Sequence, residues 1–142
     1  MSAGIEKKPI PVVTSILEYD TKILILKRSP FSKSMKNKWG GISGYLESNE
    51  DLLSRALTEI REETGISYEQ VLLRKILDPI TVIVETNRVL TIHPFHFISM
   101  ENDVKLDWEH TEYQWINVTD LRIYDLVPKL EELIKHCFEQ KQ

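Results

Sequence analysis

The sequence predicts an α/β fold, organised as an α/β/α sandwich around a mixed β-sheet. Two observations lead to this prediction. Short β-rich runs recur along most of the chain, and two stretches with helical periodicity stand well apart among them. Elements mixed in this way form a sheet whose faces are covered by helices. With 142 residues, the chain has the length of one domain. We expect a flexible segment over residues 1–9 and a single domain over residues 10–142.

The β-rich runs are separated by turn and loop signals. The predicted strands cover residues 10–17, 22–27, 71–77, 81–86, 89–100 and 113–118. Residues 29–37 are polar and contain a proline, which predicts a loop. Residues 87–88 are expected to form a tight turn between two strands. The pattern predicts the elements of the sheet without deciding their order in it.

Two stretches predict helices. Residues 125–139 repeat apolar side chains at helical spacing. Residues 49–64 do so as well, with a stripe formed by Leu53, Ala56, Leu57 and Ile60. Ser48 or Asn49 is expected to cap the N-terminus of this first helix. Gly65 is expected to end it, because glycine readily adopts a positive φ.

The first helix carries three glutamates that the spacing places together. Glu59, Glu62 and Glu63 stand at i, i+3 and i+4, so they are neighbours on one helix face. Two like charges about 6 Å apart repel by about 3 kcal/mol at an effective dielectric constant near 20. A divalent cation such as Mg²⁺ removes this repulsion and takes oxygen ligands. Acidic helix faces are often simply solvated, but this one borders the apolar stripe, as the wall of a cleft would.

These glutamates belong to a longer spaced pattern. Gly44 is followed after five residues by Glu50, and residues 59–66 then read Glu-Ile-Arg-Glu-Glu-Thr-Gly-Ile. The pattern spans 23 residues and resembles the Nudix box, the signature of the Nudix (MutT-like) hydrolase family. Residues 39–44 and 108–115 are similar to two further segments that recur in this family. The resemblance covers nearly the whole chain and implies the Nudix-type α/β/α sandwich.

The chain departs from the box at one position. Thr58 stands where the family has an arginine, which helps to orient the catalytic carboxylates by ion pairing. Arg55 lies four residues before Glu59 and falls within the acidic arc of the helix. We hypothesise that Arg55 provides the missing pairing.

The resemblance implies a metal-dependent hydrolase that cleaves the diphosphate linkage of nucleoside diphosphate-X compounds, including nucleoside triphosphates, by attack of water at phosphorus. It implies Mg²⁺ or Mn²⁺ as cofactor, held by Glu59, Glu62, Glu63 and the carbonyl of Gly44. Glu59 or Glu62 is the candidate general base. The alternative is a non-catalytic Nudix-like module that senses nucleotides or mediates interactions, which the presence of Thr58 keeps open.

Four further residues are candidates for binding the substrate. Arg28, at the end of a predicted strand, could contact a phosphate group, and Trp39 could stack on a base. Glu109 and Glu112, from a distant loop, could supply an extra ligand or base. Each has a plain alternative, which is packing for the aromatic residue and ordinary surface charge for the others.

Composition narrows the classes of partner. A formal net charge of −4 and a pI near 5.6 argue against a general nucleic-acid-binding surface, which would be basic. A small nucleotide or other diphosphate is compatible with this charge because a bound cation reverses the local field. No stretch has the roughly 20 apolar residues of a membrane-spanning helix. We expect a cytoplasmic protein that does not bind membranes. The composition is compatible with a homodimer as well as with a monomer.

Overall fold

A mixed sheet of eight strands forms the centre of the computed structural model, which describes residues 8–139. Its strands are β1 (Ile10–Tyr19), β2 (Lys22–Arg28), β3 (Trp39–Gly40), β4 (Ile42–Tyr45), β5 (Val71–Ile76), β6 (Ile80–Val84), β7 (Arg88–Ser99) and β8 (His110–Ile116). The two α-helices are α1 (Leu52–Thr64) and α2 (Leu130–Cys137). Most of the expected flexible segment, residues 1–7, lies outside the described residues.

The order of the strands explains how distant segments reach one site. The main path of the sheet is β3-β2-β1-β7-β5, while β4 pairs with β1, β6 with β7 and β8 with β2. The pairing of β1 with β7 is parallel, and the other pairings are antiparallel. The predicted mixed sheet is therefore confirmed.

The two helices cover opposite faces of the sheet. Alternate residues of a strand point to opposite faces, and β1 follows this rule. Val13 and Leu17 pack with Ala56 and Ile60 of α1. Ile16 points to the other face, where it packs in the cluster that contains Leu130 and Ile134 of α2. The predicted α/β/α sandwich is confirmed. No helix within residues 8–139 is long and apolar enough to cross a bilayer.

The predicted strands all form, with ends displaced by a few residues, but β3 and β4 were not predicted. Both are short and contain glycine, which weakens the sequence signal of a strand. The turn expected at residues 87–88 forms one step earlier, as a 3-10 turn over Glu85–Asn87. These differences are local and leave the architecture as predicted.

The second helix begins later than predicted, at Leu130 instead of residue 125. The backbone before it pairs with β3: the amide of Trp39 donates to the carbonyl of Asp125 at 2.8 Å, and the amide of Val127 donates to that of Trp39 at 2.9 Å. Pro128 also disfavours a helical conformation at Val127. A tertiary contact thus overrides the helical periodicity of this segment.

The first helix has a different N-cap from those predicted. Neither Ser48 nor Asn49 caps it. Asp51 does so, with its Oδ1 accepting a hydrogen bond of 2.8 Å from the amide of Ser54. The predicted C-terminal stop is confirmed, since Gly65 has a φ of 76° and its amide donates to the carbonyl of Arg61.

Replacing Asp51 by alanine is expected to lower the free energy of unfolding by about 1 kcal/mol, because one amide of the first turn loses its acceptor. In a domain of this size the change corresponds to a fall of about 3 °C in melting temperature. Thermal denaturation followed by circular dichroism measures it. Ser48→Ala is the matched control and should melt like the native protein. Equal losses in both variants would contradict the assignment of the cap.

Candidate active site

A cleft of about 480 Å³ brings the acidic face of α1 together with segments far away in the sequence. Glu59 and Glu62 line it from α1, Gly44 from β4, Arg28 from the end of β2, and Glu109 from the loop before β8. The rest of the lining combines aliphatic side chains with polar ones such as Thr14, Ser43, Tyr45 and Arg88. The end of the cleft at α1 is therefore strongly charged.

The three glutamates of α1 differ in their surroundings. Glu59 and Glu62 reach the cleft, whereas the side chain of Glu63 is buried, with the residue 3% exposed. Burial raises the pKa of Glu63 well above its ordinary value, and the hydrogen bond and the charge of Glu59 raise it further. Glu59 and Glu63 can both be ionised at low cost only when a cation lies beside them.

Arg55 links two of the box glutamates. Its Nε and Nη2 donate to both carboxylate oxygens of Glu50 at 2.6–3.1 Å, and its Nη1 donates to Oε2 of Glu59 at 2.7 Å. These hydrogen bonds, above all the ones that Glu50 accepts and then the one that Glu59 accepts, raise the pKa of Arg55. The hydrogen bond from Arg55 is also the main reason why the pKa of Glu50 is lowered. Arg55 therefore forms the ion pair with Glu59 that the hypothesis requires.

The absence of a side chain at Gly44 leaves room for Glu59. A Cβ atom at Gly44 would lie 2.2 Å from Cδ of Glu59 and 2.4 Å from its Oε2, which is far inside van der Waals contact. The backbone of β4 and the carboxylate of α1 can therefore approach each other only with glycine at this position.

Replacing Gly44 by alanine is expected to displace the carboxylate of Glu59 and to lower kcat by about 100-fold, the scale of a misplacement of about 1 Å in an active site. Steady-state hydrolysis measures the loss. The fold is expected to persist, because the clash involves the end of a flexible side chain. Native-like kcat in a variant with a native-like melting temperature would contradict this role of Gly44.

Two residues near Glu63, Asp107 and His110, were not predicted from the sequence as part of the site. Nδ1 of His110 lies 2.8 Å from Oδ1 of Asp107, and Nε2 of His110 lies 3.7 Å from Oε1 of Glu63. His110 is buried, and it connects the start of β8 to α1. The available signal was its place directly after Glu109 in the segment 108–115, which resembles a recurrent segment of the family.

Arg28 and Glu109 both lie at the charged end of the cleft. Nε of Arg28 donates to the carbonyl of Ser34 at 3.1 Å, which fixes the guanidinium at the mouth of the loop over residues 29–38. Burial raises the pKa of Glu109, and the nearby charge of Asp107 adds to this effect. Both residues therefore stay candidates for contact with a phosphate group or with the attacking water.

Trp39 and Glu112 are placed differently, and neither lines the cleft. The ring of Trp39 packs edge-on against Tyr124, with centroids 5.3 Å apart. Glu112 stands opposite Lys27 in the pairing of β2 with β8, and their charged groups lie 3.3 Å apart. Their positions fit the plain alternatives, packing for Trp39 and surface charge for Glu112.

The donor atoms of the site fit a divalent cation by their chemistry. Within residues 8–139, no three His, Cys, Asp or Glu side chains surround a common point that could hold a metal. Glu59 is directed at Arg55 instead, through its Oε2. Hard cations nevertheless prefer carboxylate oxygens, and the crowded pair of Glu59 and Glu63 is an arrangement that such a cation stabilises. Glu59, Glu62, Glu63 and the carbonyl of Gly44 stay predicted ligands.

Comparisons with known proteins agree with the fold and the motif. The NUDIX domain model matches residues 8–137. The nucleoside triphosphatase NudI from Escherichia coli (strain SE11) is 29% identical over 125 residues, which cover 81% of this chain and 86% of the relative. The MutT protein from Methanosarcina mazei Go1 is similar in structure, with a TM-score of 0.75, 24% identity and coverage of 96% of this chain and 100% of that one. An Ap4A hydrolase from C. elegans has a TM-score of 0.75 at 16% identity and covers 89% and 93%.

Proposed function

Because this chain belongs to the NUDIX family and is a pyrophosphohydrolase acting on phosphorus anhydrides, we propose that it cleaves the diphosphate linkage of nucleoside diphosphate-X compounds with the aid of Mg²⁺ or Mn²⁺. Nucleoside triphosphates and related nucleotides are the proposed substrates. Residues 10–142 act as the single catalytic domain in this proposal, in the cytoplasm.

One observation carries the proposal. Glu63 is buried in contact with Glu59, while Arg55 holds Glu59 and Glu50 from the other side, at one end of a cleft large enough for a nucleotide. Crowded carboxylates destabilise a fold unless a cation is bound beside them. A module that only packs against partners would have no need of this cluster.

The proposed mechanism is direct displacement at phosphorus. Glu59, Glu62, Glu63 and the carbonyl of Gly44 would hold the cation, which would supply neutralisation of phosphate oxygens and a lower pKa for water. Glu59 or Glu62 accepts a proton from the attacking water. The new bond joins the oxygen of this water to phosphorus, and the anhydride P–O bond on the opposite side breaks. Arg28, which lines the same cleft, would bind the negatively charged phosphate groups.

The proposed preference for nucleotides rests on similarity. The relative from E. coli is named a nucleoside triphosphatase and covers most of this chain. The size of the cleft, about 480 Å³, also falls within the usual range of small-molecule sites. Both observations support a small nucleotide over a nucleic-acid polymer.

An assay of purified protein with a panel of nucleoside triphosphates, dinucleoside polyphosphates and nucleotide sugars tests the proposal. We expect release of phosphate or pyrophosphate with Mg²⁺ or Mn²⁺, and none in the presence of a chelator. Turnover that is unaffected by the chelator would contradict the metal dependence. Tight nucleotide binding without turnover would support the non-catalytic sensor instead.

A further inference from the structure

A histidine that the proposed reaction does not use is buried on the face of the sheet that α2 covers. His96 lies in β7 between Phe95 and Phe97, which belong to the core under α1. Because successive residues of a strand point to opposite faces, His96 points towards α2. Its side chain is only 1% exposed. Burial removes the water that would stabilise a charged imidazole, so the protonation state of this ring matters for the fold.

One ring nitrogen of His96 has a partner and the other has none. Nε2 lies 2.9 Å from Oε1 of Glu18 on β1. A carboxylate only accepts hydrogen bonds, so Nε2 carries the proton and donates to Glu18, and Nδ1 is the bare nitrogen of the neutral ring. Nδ1 is buried without a hydrogen-bond partner within residues 8–139. A second proton, placed on Nδ1, would therefore be a buried donor without an acceptor, which is costly.

The C-terminal end of α2 closes over this ring. Phe138 is the C-cap residue of α2, and the centroid of its ring lies 5.6 Å from that of His96. Lys75 of β5 holds the same end of the helix, because its Nζ donates to the carbonyl of Cys137 at 3.0 Å and to that of Glu139 at 2.7 Å. Water could reach Nδ1 from this side only if the end of the helix moved away.

The titratable groups around His96 come from β1, β5 and α2. They are Glu18, Arg74, Lys75, Cys137 and Glu139. Burial lowers the pKa of His96 most, and the positive charges of β5 lower it further, against the opposing effect of Glu18. Burial also raises the pKa of Cys137 to about 12, so its thiol stays neutral beside the ring. The surroundings of His96 therefore favour the neutral imidazole.

We propose that Glu18 and His96 form a pH-sensitive clasp for the C-terminal end of α2. With a neutral ring, His96 donates to Glu18 and packs against Phe138. When His96 takes up a second proton, Nδ1 needs an acceptor, and the end of α2 separates from the sheet so that water can supply one. The same helix lines the cleft through Leu130 and Leu133, so the clasp links the pH of the solution to one side of the cleft. The inference stands without the proposed function, because it concerns the fold of α2.

Acid is expected to open the end of α2. A histidine whose pKa is lowered in the fold is fully stabilising above the ordinary value of 6.5, and this stabilisation is lost as the pH falls below that value. From about pH 7.5 to about pH 5.5 the fraction of open helix ends should rise at least about threefold. The upper limit is about tenfold, for a ring that is protonated only in the open state. Amide hydrogen exchange over residues 134–138, corrected for the intrinsic rate at each pH, measures the rise.

Two glutamine variants test whether His96 is the group responsible. His96→Gln cannot titrate but keeps an N–H group that can donate to Glu18, so the rise in opening on acidification should disappear. His136→Gln is the matched control, because His136 is an exposed histidine of the same helix, and it should keep the rise of the native protein. NMR titration of the native protein also gives the pKa of His96 directly, and we expect it below 6.5, with the proton of the neutral ring on Nε2.

The exchange of amides in β2 serves as the reference for opening of the whole domain. No acid-induced rise at residues 134–138, or an equal rise in β2, would overturn the clasp, the second result because it indicates general unfolding. An equal rise in His96→Gln and in the native protein would overturn it too. A pKa of His96 at or above 6.5 in the native protein would do so even if the variant did not fold.

Discussion

Replacement of Glu63 by glutamine is expected to lower kcat by at least about 100-fold, or about 2.7 kcal/mol of activation free energy. Glutamine has nearly the same shape, so the change removes a charge and leaves the packing of α1 in place. The variant should also need more Mg²⁺ or Mn²⁺ for half-maximal activity, since a neutral amide is a weaker ligand for a hard cation. Steady-state hydrolysis over a series of metal concentrations measures both effects.

The same substitution is expected to leave stability unchanged or to increase it. Burial and the neighbouring Glu59 raise the pKa of Glu63, so the ionised side chain is costly in the fold when no cation is bound. A neutral glutamine avoids this cost. Loss of activity together with an equal or higher melting temperature, measured without metal, would therefore separate a functional carboxylate from a structural one.

Glu69→Gln is the matched control for Glu63→Gln. Glu69 is an exposed glutamate in the 3-10 turn Tyr68–Gln70, so its neutralisation should change neither kcat nor the metal requirement. Native activity in Glu63→Gln would contradict the assignment of Glu63 to the metal site. An equal loss in both variants would point to a general effect of charge on the protein.

The sequence predicted those parts of the site that depend on one helix. The spacing of Arg55 and Glu59 is enough to place them in contact, because residues four apart on a helix are neighbours. The contact of Arg55 with Glu50 is different. It crosses the N-cap of α1, and its geometry depends on a turn whose cap was predicted at Ser48 or Asn49 but is formed by Asp51.

Contacts between distant segments could not be predicted in the same way. His110 reaches Glu63, and Asp107 reaches His110, because β8 pairs with β2 and so carries its preceding loop to α1. The pairing of β3 with residues before α2 shortens that helix and leaves part of the sheet facing the cleft. Local periodicity contains no information about either contact, so the strand order had to be known first.

Replacement of Arg55 by alanine is expected to lower kcat by about 10- to 100-fold, the usual effect of losing a group that orients a metal ligand. The side chain is 13% exposed and bridges Glu50 and Glu59, so its loss leaves two carboxylates unpaired close to each other. Because Glu59 would then move, the fold-decrease in kcat should be larger than the fold-increase in KM for the nucleotide. Steady-state kinetics with a nucleoside triphosphate and Mg²⁺ separates the two parameters.

Conservative and control variants distinguish positioning by Arg55 from direct contact with substrate. Arg55→Lys keeps the charge but has all its N–H groups on one nitrogen, which cannot span two carboxylates as the three guanidinium nitrogens do. Its kcat should therefore lie between those of the alanine variant and the native protein. Arg61→Ala removes an exposed arginine from the same helix and should have native kinetics. Adding Thr58→Arg to Arg55→Ala restores the arginine of the family motif and should recover part of the rate. An unaltered rate in Arg55→Ala would show that Glu59 needs no such partner, and a rise in KM alone would reassign Arg55 to phosphate binding.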